Sequence, residues 1–339
     1  GVRFGRALEE TRAAMPAPAP KQEVVQRVVL DGLFASPRLL DLAGTALRAY
    51  QRFGLGRAAR RAGLFSLLPA RLDDMEALLP TPQPFRALPS ELRAMGEQRA
   101  RVGLITGCVM RQFFSGVNGA TARVLAVNGA SVSIPAGQGC CGALHLHAGR
   151  REAARALART MIDAFPDDLD AVMINAAGCG STLKDYGHLL ADDPRYAERA
   201  AHFAGRVRDV SEWLDEVGLR PPTSAIRAVV TYQDACHLRH AQRVYEAPRR
   251  LLRAIPGLEL VEMHGAADCC GSAGIYNITQ PAIATKLQTQ KIERAAATGA
   301  SVLAVGNPGC AIQIGSGLRA HGVRMTVVHP VELLDRAYA

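Results

Sequence analysis

The sequence predicts two similar α/β domains, each a parallel sheet covered by helices, produced by an internal duplication and preceded by an α-helical N-terminal region. Three observations predict it. From residue 100 onward, short β-branched runs alternate with Gly-rich turns and helical stretches, the pattern of a parallel, helix-covered sheet. The whole alternation then occurs a second time. Third, corresponding cysteines of the two halves lie 128, 129 and 131 positions apart (236 − 108, 269 − 140, 310 − 179), so the register holds across the unit. The boundaries that follow are 1–99 for the helical region, 100–222 for the first domain and 223–339 for the second.

The elements can be taken in order. Residues 1–99 hold no cysteine and no convincing strand. Helical periodicity fills "QEVVQRVVLDGLF" and "SPRLLDLAGTALRAYQRF", and "LLPTPQPFRALPSELRA" is a Pro-rich connector. "GLGRAA", residues 54–59, imitates a dinucleotide fingerprint, but no strand runs into it, so it reads as a turn between helices. The first copy then runs "RVGLITGC", a helix near 116–128, "ASVSIPAGQGCCG", a helix near 148–165, "DAVMINAAGCG", a further helical stretch and "RVRDVSEWLDEVG". In the second copy "AIRAVVTYQDAC", "LELVEMHGAADCCG", "ASVLAVGNPGC" and "RMTVVHPVELLDRA" answer its four strands. These segments are two domains' worth of one fold, two Rossmann-like α/β units.

Composition narrows the class. The chain has 339 residues, 48% of them hydrophobic, enough to bury a large core. Its formal net charge of +9 and pI near 9.4 point to an anionic partner, an anionic cofactor or a membrane surface. The Arg residues are scattered through helices with few aromatics and no basic block, so no nucleic-acid partner is expected. No apolar run approaches the 18 or so residues that span a bilayer. No signal peptide precedes Gly1, and "GVRFGRALEETRAAMP" reads as the opening of a helix with something before it; a further N-terminal module is expected.

All eight cysteines belong to the duplicated pattern: Cys108, Cys140, Cys141 and Cys179 in the first copy, Cys236, Cys269, Cys270 and Cys310 in the second. Neighbouring cysteines make poor disulfides, because Cα atoms across a trans peptide lie about 3.8 Å apart. In a strand their side chains would diverge, so both serve one centre only where the backbone bends, and the Gly after each pair permits that bend. Each cysteine falls where a strand should end and its helix begin, the crevice where open α/β sheets bind ligands. Helix N-termini and Gly-rich loops there favour an anionic centre.

Four thiolates per site is the ligand set of a [4Fe-4S] centre. Zinc accepts the same four sulfurs, yet structural zinc sites bring them in close C-x-x-C pairs, a spacing absent here. Disulfides and inert buried cysteines remain as plainer readings. His145, His147, His237, His240 and His264 cluster nearby in sequence, and surface or supporting histidines are the favoured reading over ligands or proton carriers. Asn307-Pro308-Gly309 before Cys310, and Asn175 to Gly178 before Cys179, look like turns that shape the ligand loops.

At these residues the chain resembles the cysteine-rich CCG domain family, whose form is C-x(n)-CCG-x(n)-C-x-x-C, usually in two copies. The resemblance covers roughly residues 100–339 and is closest to the glycolate oxidase iron-sulfur subunits, through "INAAGCGSTLKDY", "DACHLRHAQRV" and "GVRFGRALEETR". In those subunits a two-cluster ferredoxin domain comes first, and the resemblance implies that such a domain precedes this chain. It further implies an iron-sulfur electron-transfer subunit of a glycolate-oxidising complex, with [4Fe-4S] clusters on all eight cysteines and FAD on partner subunits. Those partners are flavin-containing subunits and a quinone or other acceptor, in the cytoplasm with peripheral contact at the inner face of the cytoplasmic membrane. Lactate- or glycerol-3-phosphate-oxidising complexes and heterodisulfide-type thiol reduction are the alternatives within the family. One departure bears on the last: the final cysteine of C-x-x-C is Thr182 in the first copy and Gln313 in the second.

Overall fold

The computed structural model describes residues 4–15, 23–24, 26–63, 75–80 and 84–339. Two sheets carry it. The first holds β1 (Glu91–Leu92), β2 (Ala100–Leu104), β3 (Ala130–Ser133), β4 (Ala171–Ile174) and β5 (Val207–Asp209) in the order β1-β3-β2-β4-β5. The second holds β6 (Ala228–Gln233), β7 (Leu258–Val261), β8 (Val302–Val305) and β9 (Thr326–Val328) in the order β7-β6-β8-β9. Every pair is parallel except β1 with β3. With β1 set aside, the two sheets share one strand order, second-first-third-fourth, so the duplication visible in the cysteine spacing is a duplication of fold.

β1 departs from the expectation that residues 1–99 hold no strand. It pairs antiparallel, Glu91 with Ser133 and Leu92 with Val132. Two residues behind Pro89 carry no alternation for a sequence reading to detect. The other elements follow the periodicity. Helices cover the sheets, so the central strands are largely buried: Val102 and Leu104 of β2 and Val172, Met173 and Ile174 of β4 are fully buried, while Arg101 of β2 is exposed.

The N-terminal region is helical as expected, with helices Phe4–Ala14, Pro37–Arg52 and Leu55–Arg61. Ser36 caps the second of these, its hydroxyl accepting from the Leu39 amide at 3.4 Å, with Pro37 at the first helical position. The "QEVVQRVVLDGLF" stretch forms a π-helical segment over Arg27–Phe34; Gln22 and Val25 lie outside the described residues, as do Gly1 to Arg3 and, in the Pro-rich connector, Thr81 to Gln83. In "GLGRAA" Gly54 makes the turn between helices, in the left-handed region at φ +63°, and the residues after it open the helix Leu55–Arg61. Among the described residues no helix is long and apolar enough to cross a membrane.

The two copies form one body. A single apolar cluster runs from Val102 and Ile174 of the first to Val230 and Leu334 of the second. Across the boundary Arg123 grips Asp335 through two hydrogen bonds of 2.8 and 2.6 Å, and Arg250 Nε donates to Asp215 at 2.7 Å. The fourth strand of each copy ends in a matching capping box, Asp209 with Glu212 and His329 with Glu332.

His329 also joins the copies. Its Nδ1 accepts from the Val331 amide at 3.1 Å, so the proton sits on Nε2, which donates to the Asn175 carbonyl at 2.9 Å. Burial pushes this imidazole down to about 4. The unfolded chain takes up this proton below about pH 6.5 and the folded chain only near 4, so stability is intact above 7 and falls as pH drops through that window. Asp209 titrates in the opposite sense, raised to about 6 by burial. We therefore expect the melting temperature to fall more steeply between pH 6.5 and 4 in the wild type than in His329→Asn, which keeps a capping acceptor. Parallel curves would refute the assignment.

Candidate metal centre

Each cysteine stands just past the carboxyl end of a strand. Cys108 opens the helix Cys108–Phe113 after β2, Cys140 and Cys141 precede the helix Ala143–His147 after β3, and Cys179 lies in the first turn of Ala177–Lys184 after β4. In the second copy Cys236 precedes the π-helical turn His237–Ala241 after β6, Cys269 and Cys270 lie in the loop after β7, and Cys310 lies in the first turn of Pro308–Ala320 after β8. In both sheets the strand order reverses between the first and third strands, where these loops meet.

The glycine behind each pair makes the turn. Gly142 and Gly271 adopt φ +80° and +89°. A Cβ at Gly271 would stand 2.4 Å from the Ala284 carbonyl oxygen, and one at Gly142 3.2 Å from that of Ala154. The bend keeps the two thiols of a pair in contact and gives each a further partner. Cys140 meets Cys108, with their Sγ atoms 3.7 Å apart, while Cys141 meets Cys179. In the second copy Cys269 faces the side of Cys236, and Cys270 meets Cys310. All eight cysteines are free thiols, so the disulfide reading falls.

Polar groups point at the sulfurs. The Gly142 amide donates to Cys140 Sγ at 3.5 Å and the Gly271 amide to Cys269 Sγ at 3.3 Å, a matched pair across the copies. Asn307 Nδ2 donates to Cys310 Sγ at 3.4 Å, and Nδ1 of His237 lies 3.5 Å from Cys236 Sγ.

The thiols resist ionisation as they stand. The hydrogen bond to Cys140 and burial raise Cys108 well above the ordinary range. Cys140 is lowered by its contact with Cys108 but more than offset by the thiol of Cys141 and by burial, and is pushed up to about 12. Cys269 is raised by its hydrogen bond to Cys270 and by burial, and Cys236 by burial and then by Cys269. Thiolates packed this closely need cationic charge among them, and iron supplies it. Among the described residues no three Cys, His, Asp or Glu side chains close around a position for a single ion. The donor set fits a thiolate-held cluster: four sulfurs per copy, partly buried, with amide donors aimed at them.

Other residues hold the loops, and the sequence reading passed over them. The buried Tyr186 hydroxyl donates to the Cys141 carbonyl at 2.8 Å. In the first copy Gln138 accepts from the Thr106 amide at 2.9 Å and donates to the Leu104 carbonyl at 3.0 Å, fixing the approach to Cys108. In the second, Asp234 does this work through a buried bidentate pair with Arg249 at 2.8 and 2.9 Å. Asp234 two residues ahead of Cys236 is the one signal that was present, and its partner fifteen residues on could not be read. Thr182 and Gln313, where the family pattern has a fifth cysteine, are both buried, and Gln313 accepts from Asn277 at 2.9 Å.

The histidines divide. His240 and His264 are exposed. His145 is fully buried with neither ring nitrogen in a hydrogen bond; Asp31 stands 3.6 Å away and burial lowers its pKa. His147 pairs through Nδ1 with Glu9 at 2.9 Å, and its ring lies 5.2 Å from that of His237, which burial and His147 hold down to about 4.

These contacts give the N-terminal region a role the sequence did not show: it covers the cysteine loops of the first copy. Arg12 donates to the His147 carbonyl at 2.8 Å, Arg150 Nε reaches Asp31 at 2.9 Å, and Arg48 reaches Gln112 on the helix that Cys108 opens. The third-cysteine loops of the two copies also bond to each other. The Ala177 amide donates to the Gly306 carbonyl at 3.2 Å and the Gly178 amide to Asn307 Oδ1 at 3.0 Å. The loops that carry Cys179 and Cys310 are therefore neighbours across the boundary.

This architecture, two α/β units each gathering four thiols at a strand-order switch, defines a tandem cysteine-rich protein. Residues 102–184 and 230–315 match the model of the cysteine-rich CCG domain, and residues 21–79 match that of the glycolate oxidase iron-sulfur subunit linker region. The chain belongs to the family of glycolate oxidase iron-sulfur subunits. It is 38% identical over 348 residues to the "Probable glycolate oxidase iron-sulfur subunit" of Bacillus subtilis (strain 168), an alignment covering 99% of this chain and 78% of that protein. It is 31% identical to "Lactate utilization protein A" of Oceanobacillus iheyensis over 69% of this chain and 96% of that protein. The same protein of Shouchella clausii (strain KSM-K16) is also 31% identical, over 69% and 98%. The likeness to the lactate-type proteins thus leaves about a third of this chain unmatched, while the helical linker has its own match.

Gly271→Ala should carry the cost of the left-handed backbone and of the clash with Ala284, together more than about 2 kcal/mol. We expect it to lower iron content by about half, measured per polypeptide after anaerobic purification. Wild-type iron in that variant would show that the turn is not needed.

Proposed function

We propose that this chain is the electron-transfer subunit of an FAD-dependent complex that oxidises glycolate to glyoxylate, with Cys108, Cys140, Cys141 and Cys179 holding one [4Fe-4S] cluster and Cys236, Cys269, Cys270 and Cys310 another. The observation that carries the reading is the gathering of four thiols on the loops at the switch point of each copy, around left-handed bends that favour glycine. Such clusters supply one-electron transfer at a potential set by their surroundings. The residues of this chain do the rest: they fix where each centre sits, exclude water from it and aim amide donors at its sulfurs. Thr182 and Gln313 leave each copy without a fifth thiol, which favours electron transfer over heterodisulfide-type reduction.

Flavin-containing subunits would deliver the electrons, and a quinone or another acceptor would take them. The helix Pro37–Arg52 supports a docking role. One of its faces packs on the helix that Cys108 opens, while Leu39, Leu42 and, just beyond its end, Phe53 are exposed at 49%, 68% and 74%. Within this reading residues 1–99 are the docking region, and 100–222 and 223–339 are the two cluster domains. A cytoplasmic place at the inner membrane face agrees with the chain's positive charge.

The test is anaerobic purification with iron, acid-labile sulfide and zinc counted per chain. We expect about four irons and four sulfides per copy and a cubane-type EPR signal. Cys140→Ser and Cys269→Ser should each remove about half of both and abolish glycolate-dependent acceptor reduction in the assembled complex. Zinc without sulfide, or unchanged activity in both variants, would sink the reading.

A further inference from the structure

The two copies share a backbone and differ in what surrounds their thiols. Both Gly142 and Gly271 face a helix carbonyl, that of Ala154 in one copy and Ala284 in the other, which sets the register between the covering helices (284 − 154 = 130). By that register Lys291 occupies the place of Met161 (291 − 161 = 130), and both are buried, at 1% and 0% exposure. The second copy thus carries a buried ammonium where the first carries a thioether. Lys291 Nζ donates to the carbonyls of Gly265 at 2.7 Å and Ala266 at 3.4 Å, on the loop leading to Cys269, and its charge acts on Cys269, Cys270 and Cys310. The nearby carboxylate, Asp268, is paired with Arg294.

Two more replacements run the same way. Counting from the third cysteine of each copy, Asn307 stands where the first copy has Ala176 (310 − 307 = 179 − 176), and its amide donates to Cys310 Sγ at 3.4 Å. Counting from the first cysteine, His237 stands where the first copy has Val109, with its Nδ1 at 3.5 Å from Cys236 Sγ. Solvent exposure is balanced between the copies, since Cys269 is half-buried where Cys140 is buried but Cys310 is buried where Cys179 is half-buried. A nearby positive charge and a donor to sulfur each stabilise the more negative, reduced form of an iron-sulfur centre and so raise its reduction potential.

We propose that Lys291 and Asn307 make the second centre the higher-potential one, so that electrons run from the first copy to the second. This rests on the cluster reading above. One electron leaves the reduced first centre and enters the oxidised second centre, with no bond made or broken; reduced flavin on a partner subunit replaces it and a quinone-class acceptor removes it. Asn307 also ties the copies at this point, since its Oδ1 accepts from the Gly178 amide beside Cys179. Lys291 and Asn307 are positioning residues, acting on the centre through field and hydrogen bond.

The full chain, purified anaerobically with its clusters, is titrated against potential and followed by EPR. The wild type should show two separate steps. Lys291→Met and Asn307→Ala each install the first copy's residue, and each should move the higher step to a more negative potential while leaving the lower one in place. Movement of the lower step, no movement of either, or a single unresolved step in the wild type would overturn the proposal. If Asn307→Ala loses iron, Asn307→Asp retains the acceptor for Gly178 while removing the donor to Cys310, and should shift the same step the same way. A wild type lacking sulfide would fail differently: it would remove the clusters themselves, whereas wrongly ordered steps would remove only their ranking.

Discussion

Two adjacent thiols can serve one centre only if the chain reverses between them and the next element, and the site depends on that reversal. Gly142 and Gly271 provide it at left-handed φ values that favour glycine, with helix backbone close behind both. The bend gives each thiol of the pair a further partner: one turns to the cysteine after the first strand, the other to the cysteine after the third. Because the first strand lies between the second and third in each sheet, the doubled cysteine on the second-strand loop can reach both of the other loops. A single cysteine there could meet only one of them, and the CCG string is the shortest sequence that closes the set.

Holding such a set demands more than bringing it together. Thiols packed against one another in a buried place oppose their own ionisation, so the loops need rigid support from polar partners outside the sulfur set. The two copies meet this need with unlike chemistry at different positions. Gln138 bonds backbone on both sides of the first loop through a neutral amide, whereas Asp234 and Arg249 secure the second through a buried ion pair. A neutral amide costs little to bury once bonded, while the second loop depends on a linked set of charges, Asp234 with Arg249 and Arg239 and Arg249 with Glu262. The second loop is therefore the one more sensitive to substitution at a distance from its cysteines.

Much of this was legible in the sequence. The register of the cysteines showed two copies, and strand-then-helix alternation placed each thiol at a carboxyl end, which the strand order bears out. Gly54 formed the helix turn that its lack of a preceding strand implied. What escaped reading depends on contacts between residues far apart in the chain. Tyr186 reaches Cys141 from 45 positions away, Asp31 reaches Arg150 from 119, and His329 reaches Asn175 from 154; none leaves a periodic mark. The covering of the first copy's loops by the N-terminal helices escaped for the same reason. β1 escaped because two residues make no pattern.

Duplication gives two equivalent sites, but electron transfer in one direction needs inequivalent ones. The fold keeps the geometry common: equal strand order, equal bends, equal capping boxes after the fourth strand. Difference lies in the side chains around the loops, such as Lys291 against Met161, both buried in the covering helix. Substitution there changes the local field while the loop remains in place. The bonds from Ala177 and Gly178 to Gly306 and Asn307 meanwhile fix the two sites against each other. Distance between the sites is thus held by backbone and amide, and the difference between them by a few side chains, with Asn307 belonging to both sets because it accepts from Gly178 and donates to Cys310.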